Sequence, residues 1–202
     1  MNNELRKWEG QWDNFEFYIN SVDPYLVKSW QEAEEIASTM PMFSSGVKKF
    51  WKKACNTVTK ENPFIIGGWN IKTVDENELF IEWYKEDGTV LYCSSYMLDS
   101  VIEKGLENKK NLLLVSKENE NSPFHYVLLM EPMPHVKENG LIPHFHFQYA
   151  SYKENILNTE NGKLVNPMWY ATMCAGNVST LDRCNIVRAL HRLPLWHSLP
   201  KL

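Results

Sequence analysis

Three of the chain's six histidines fall within twelve residues, at His135, His144 and His146. A neutral imidazole offers a nitrogen lone pair, so such a cluster is first of all a candidate site for a divalent transition metal. On a strand successive side chains alternate between faces. His144 and His146 are therefore expected to point the same way, about 7 Å apart along the backbone, with Phe145 and Phe147 on the opposite face. Between the histidines, Glu138-Asn139-Gly140 has the composition of a turn. Folding the preceding run back there would set His135 across a hairpin from His144. Three imidazoles converging on one point suit Zn2+ and leave its fourth position for water or a substrate. The same donors accept other divalent ions, because affinities rise along the Irving–Williams order.

Several neighbours bear on that chemistry. Glu131 shares parity with His135, so its carboxylate is a candidate for orienting a ligand or acting as a catalytic base, although Pro132 and Pro134 favour a bulge in between. Gln148 is in phase with His144 and His146 and is a candidate to hold a metal-bound water from outside the ligand set. Met130 and Met133 bring thioethers that would favour Cu(I), but methionine in a strand more often fills a core. His125, His191 and His197 lie outside the cluster and are not placed among the ligands.

The elements that must position these residues change character along the chain. Residues 24–38 carry Trp30, Ala33 and Ile36 at helical spacing, and a second helix is expected over 45–57. After Pro63 the period shortens to two, with strands expected over 64–73, 78–84, 89–92, 111–116, 124–133 and 142–149. Lys85-Glu86-Asp87-Gly88 joins two of them with hairpin chemistry. Residues 98–106 are expected as a short helix with Val101, Ile102 and Leu106 as its apolar stripe. Near the end, Ser179, Thr180 and Asp182 mark a helix start and Ile186, Ala189, Leu190 and Leu193 its buried side, with Pro194 as a stop. An antiparallel meander partly covered by helices follows.

At 202 residues and 44% hydrophobic content the chain can bury one substantial core, and its 8 Trp, 9 Tyr and 9 Phe point to a β-rich one. A net charge of -4 gives no global reason to expect nucleic acid or an anionic membrane as partner. Lys48-Lys49-Phe50-Trp51-Lys52-Lys53 mixes cations with aromatics but is the usual wet face of an amphipathic helix. No run approaches the roughly 20 apolar residues of a membrane span, and the polar start shows no leader, so a cytoplasmic location is expected. Cys55, Cys93, Cys174 and Cys184 contain no CxxC and are expected as free thiols.

A His followed by eight residues and then His144-Phe145-His146 resembles the metal-binding segment of the ZinT/YodA family of lipocalin-like zinc proteins. Trp8-Glu9-Gly10-Gln11-Trp12 is similar to that family's opening segment, Phe50-Trp51-Lys52-Lys53 to its leading helix, and the similarity runs through Trp169-Tyr170. The resemblance implies a mainly β (α+β) fold, a calycin-type antiparallel barrel with N-terminal helices and a short C-terminal helix. It assigns metal ligation to His135, His144 and His146 at the barrel mouth, and places Cys93 and Ser116 where exported members carry a disulfide. Residues 1–170 would form the metal-binding domain, and 171–202 a helical extension packed on it. The expected function is holding Zn2+ for buffering, transfer or stress response. The alternative is a metal-dependent lyase or hydrolase acting on a small molecule through the same three histidines, and a small-molecule ligand inside the barrel is a further expectation.

Overall fold

The computed structural model describes residues 4–37, 39–158, 163–164 and 169–202. A 3-10 turn at Glu4–Trp8 leads into β1 (Gly10–Asn14), α1 (Glu16–Asn20), α2 (Pro24–Ala37) and α3 (Val47–Ala54). Six strands follow: β2 (Ile66–Thr73), β3 (Glu78–Lys85), β4 (Val90–Ile102), β5 (Asn111–Ser116), β6 (Tyr126–Met130) and β7 (His144–Ala150). The short pair β8 (Leu157–Asn158) and β9 (Lys163–Leu164) stands apart, and β10 (Ala171–Ala175) and α4 (Thr180–Leu190) complete the chain. Eight strands close into an antiparallel barrel in the order β1-β10-β7-β6-β5-β4-β3-β2, with β2 pairing back to β1. The stretch after Tyr170 thus supplies both a barrel strand and the last helix.

Alternation decides what lies inside. The odd positions of β7, Phe145, Phe147 and Tyr149, join Trp69 of β2 and Trp83 of β3 in one buried cluster to which every barrel strand contributes. Trp69 lies 4.4 Å from both Trp83 and Phe147, centroid to centroid. An eight-stranded barrel has an interior just wide enough to be filled by side chains, and here aromatic rings fill it. A second core forms outside the wall, where Phe15, Tyr18, Trp30 and Val47 from the helical layers meet Cys174 of β10 and Ile186 of α4. The helices therefore cover the outer face of β7 and β10, as a helix with one apolar stripe must cover something.

Local chemistry accounts for the ends. Gly88, at φ +81°, closes the expected β3–β4 hairpin. Ser179 Oγ accepts from Asp182 N–H and Asp182 Oδ2 accepts from Ser179 N–H, the reciprocal cap read from the sequence. Three expectations need correction. Residues 98–102 are not helical but continue β4, paired with β5 across a bulge between Leu98 and Ser100. Ile36 of α2 is exposed and Ala37 takes the buried position, while Ser38, the expected last helical residue, lies outside the described residues. Ser116 meets the Ser94 hydroxyl at 2.6 Å, whereas Cys93, one residue away on the other face, is an exposed free thiol. Cys55, Cys174 and Cys184 are free and buried. Among the described residues no helix is long and apolar enough to cross a membrane.

Candidate functional site

His144 and His146 do share a face of β7, but it is the outer one. Phe145 and Phe147 take the barrel interior, so the two histidines open into a cavity of roughly 360 Å3 between the wall and the helices rather than at the barrel mouth. The cause is the parity of the strand: once bulky aromatic rings claim the interior, the polar positions must face out.

Each imidazole is held through Nδ1. His144 Nδ1 donates to the Ile142 carbonyl at 2.6 Å, which fixes the proton there because a carbonyl can only accept. His146 Nδ1 lies 2.8 Å from Thr172 Oγ1, and that hydroxyl spends its own proton on the Tyr170 carbonyl at 2.6 Å. Thr172 Oγ1 is thereby left as the acceptor for His146 Nδ1. In both rings the nitrogen remaining as a lone-pair donor is Nε2. The ring centroids are 5.9 Å apart.

Facing His146 Nε2 at 3.3 Å is Glu107 Oε1, which also lines the cavity. A bare lone pair against a carboxylate oxygen at that range is repulsive, so a shared proton or a cation belongs between them. With a proton on Nε2, the hydrogen bond from His146, helped by Lys109 3.4 Å from Oε2, holds the Glu107 carboxyl down to about 2 against the opposing effect of burial. Glu107 sits in a 3-10 turn over Leu106–Asn108 and has φ +52°, followed by Asn108 at +60°. Two successive left-handed residues with side chains are strained, by about 1 kcal/mol or more each. Asn111 stabilises the turn by accepting from Leu106 N–H and donating to the Lys109 carbonyl. That strain is retained at the point where the carboxylate meets His146.

The other expected site residues lie elsewhere. Residues Lys137–Asn139 form the anticipated turn, with Gly140 left-handed at φ +69°, but Met133, not His135, bridges to His144. The pairing is shifted by two residues because the turn is centred one residue earlier, with Val136 opposite Leu141. His135 is exposed and stands 3.9 Å from Asp182 at the start of α4. Glu131 makes an exposed ion pair with Lys7 at 2.6 Å. Gln148 is buried in phase with the histidines and donates to the Trp169 carbonyl at 3.0 Å. Among the described residues no three His, Cys, Asp or Glu side chains stand close enough together to hold an ion.

Burial holds His144 down to about 4, against the raising effect of its bond to Ile142. An unfolded imidazole titrates near 6.5, so between these values the unfolded chain binds a proton that the folded chain does not. The metal-free protein is therefore expected to lose stability as pH falls through that window, by roughly 2 kcal/mol between about pH 7 and about pH 5 from this residue. Urea midpoints at the two pH values measure it. His144→Gln should flatten the slope, while buried His191, also lowered by desolvation, keeps its share. An unchanged slope in His144→Gln would place the protonation elsewhere.

An eight-stranded antiparallel barrel with helices laid over one outer wall defines a calycin-type, ZinT-like fold. The chain superposes on the Zn(II)-bound ZinT-like domain of Streptococcus pneumoniae AdcA with a TM-score of 0.50 and 13% identity, over 93% of this chain and 89% of that one. Zn(II)-bound AdcA from the same organism gives a TM-score of 0.52 and 14% identity over 93% of this chain, which spans 35% of its length. At such identities the likeness is one of fold. No family model matches the sequence, and no curated protein matches it.

Proposed function

We propose that the chain binds a divalent transition-metal ion, zinc in the first place, at the wall of this cavity. The observation that carries the reading is the paired anchoring of His144 and His146 through Nδ1, which fixes the tautomer in which Nε2 is the free donor. Outer hydrogen bonds of this kind accompany metal-ligating histidines generally. The donor set fits zinc: two neutral imidazoles, and a carboxylate whose oxygen already faces one of them. His135 is proposed as the third imidazole, as the resemblance implies. Its contact with Asp182 is too long for a hydrogen bond and opposes little. The Zn(II)-bound state of the two similar structures supports zinc over other ions. Storage or transfer of the ion follows most directly, since the protein then needs no chemistry beyond coordination.

A second reading has one observation in its favour: the cavity beside the histidines is lined mainly by apolar side chains, which mere storage does not require. An ion there would polarise a carbonyl or activate water for a lyase or hydrolase reaction. The experiment that tests the shared premise is titration of chelator-treated protein with zinc against a chromophoric competitor. One ion per chain is expected, with a dissociation constant below about 1 μM. Binding no tighter than about 100 μM, an affinity of some 5 kcal/mol, would reject it.

A further inference from the structure

The cavity is two-sided in its chemistry. Its polar groups, His144, His146, Thr172 and Glu107, come from the barrel wall and the strained turn, whereas the helical side supplies Phe50 and Trp51 of α3 with Ile186 and Leu190 of α4. Exposed Met42 lies at its margin. The Trp51 indole N–H is already given to His191 Nε2 at 2.9 Å, so the ring offers the cavity only its apolar surface. Cys55, also in the lining, has its thiol pushed up to about 12 by burial, and it behaves as a small apolar group beside Thr172. Phe50 and Trp51 stand edge to face at 85° with centroids 5.1 Å apart, a wall shaped for a flat or branched hydrocarbon. At roughly 360 Å3 the space falls within the range of small-molecule sites.

We infer that this cavity binds a small organic acid with an aryl or branched-alkyl tail, the tail lying against Phe50, Trp51 and Leu190 and the carboxylate directed to the His144–His146 wall. The inference rests on the zinc reading for the charge of its head group. One divalent ion on neutral imidazoles and a single Glu107 carboxylate leaves a net positive charge at the wall, which favours an anion. Without the ion, the Glu107 carboxylate is paired with Lys109, whose ammonium lies 3.4 Å from Oε2, and the wall has no net positive charge to attract one. Acid and amine probes of one shape should therefore separate in the loaded protein.

The experiment uses calorimetry with 4-phenylbutyrate and 4-phenylbutylamine on the 202-residue chain, metal-free and after zinc loading has been confirmed by elemental analysis. Zinc-loaded protein is expected to bind the acid at least tenfold more tightly than the amine, and more tightly than the metal-free protein binds that acid. Met42→Glu, at an exposed position that does not endanger folding, should weaken the acid at least tenfold and leave zinc affinity within twofold. Failure to load zinc would overturn the metal reading and the head-group assignment together. Zinc loading without uptake of the acid, equal binding of acid and amine, or indifference to Met42→Glu would overturn this inference alone.

Discussion

His144→Ala and His146→Ala will each weaken zinc binding by at least about 100-fold, more than the 10- to 100-fold typical of losing an outer-shell partner, while the protein stays folded. Both side chains lie on the outer face of β7, and the rings that fill the barrel come from the alternate positions. Removing an imidazole therefore deletes a donor without opening the barrel core. Thr172→Val provides the graded control. It keeps shape and burial but takes away the acceptor that fixes His146 Nδ1, so a loss of about tenfold is expected, at the low end of outer-shell effects. His135→Ala and Glu107→Gln separate the remaining donors, because His135 must leave Asp182 to reach the ion whereas Glu107 already faces His146. Chelator competition gives the affinities and circular dichroism the folded state. Wild-type affinity in both His144→Ala and His146→Ala would remove the site from this cavity altogether.

Glu107 shows where sequence reading stopped. Strands β2, β3 and β7 are legible because the apolar period is two and turn residues separate them, and β5 as a short continuous apolar run between turns. The run after Leu98 misleads, since the bulge between Leu98 and Ser100 inserts a residue and breaks the alternation. Val101, Ile102 and Leu106 then mimic a helical stripe. A helix there would have made Glu107 one more acidic residue at its end. As a strand followed by a left-handed turn, the same sequence sends its carboxylate to His146. Nothing short of the β4–β5 pairing reveals this, because positive φ at Glu107 and Asn108 has no glycine to announce it.

The histidine pair was legible and its surroundings were not. Alternation correctly put His144 and His146 on one face, but which face turns inward depends on the rings contributed by distant strands, Trp69 and Trp83 among them. The partner of His144 across the hairpin depended on the turn, where a two-residue difference exchanged His135 for Met133. β10 escaped notice because Ala171–Ala175 is small and nearly uniform in burial, with no alternation to read. It nevertheless brings Thr172 opposite His146, and so fixes that ring.

Phe147→Ala is expected to cost about 3–5 kcal/mol of stability, the range for truncating a buried phenylalanine, although it adjoins His146 in the chain. Phe147 is fully buried and its ring lies 4.4 Å from Trp69 and 6.3 Å from Trp83. The void would open in the middle of the barrel, where neighbouring strands restrict collapse. Zinc acts differently: an ion that binds only the folded state adds about 3 kcal/mol at a hundredfold excess over its dissociation constant. Metal-free wild-type protein should then unfold in one cooperative transition, and excess zinc should return Phe147→Ala to roughly the stability of that metal-free protein. His146→Ala should show the opposite pattern, a near-normal metal-free midpoint that zinc no longer raises. Urea melts with and without zinc on the three proteins decide the matter. If metal-free wild-type protein shows no cooperative transition, the ion is a structural element of the fold, and its storage, transfer and catalytic readings fail together.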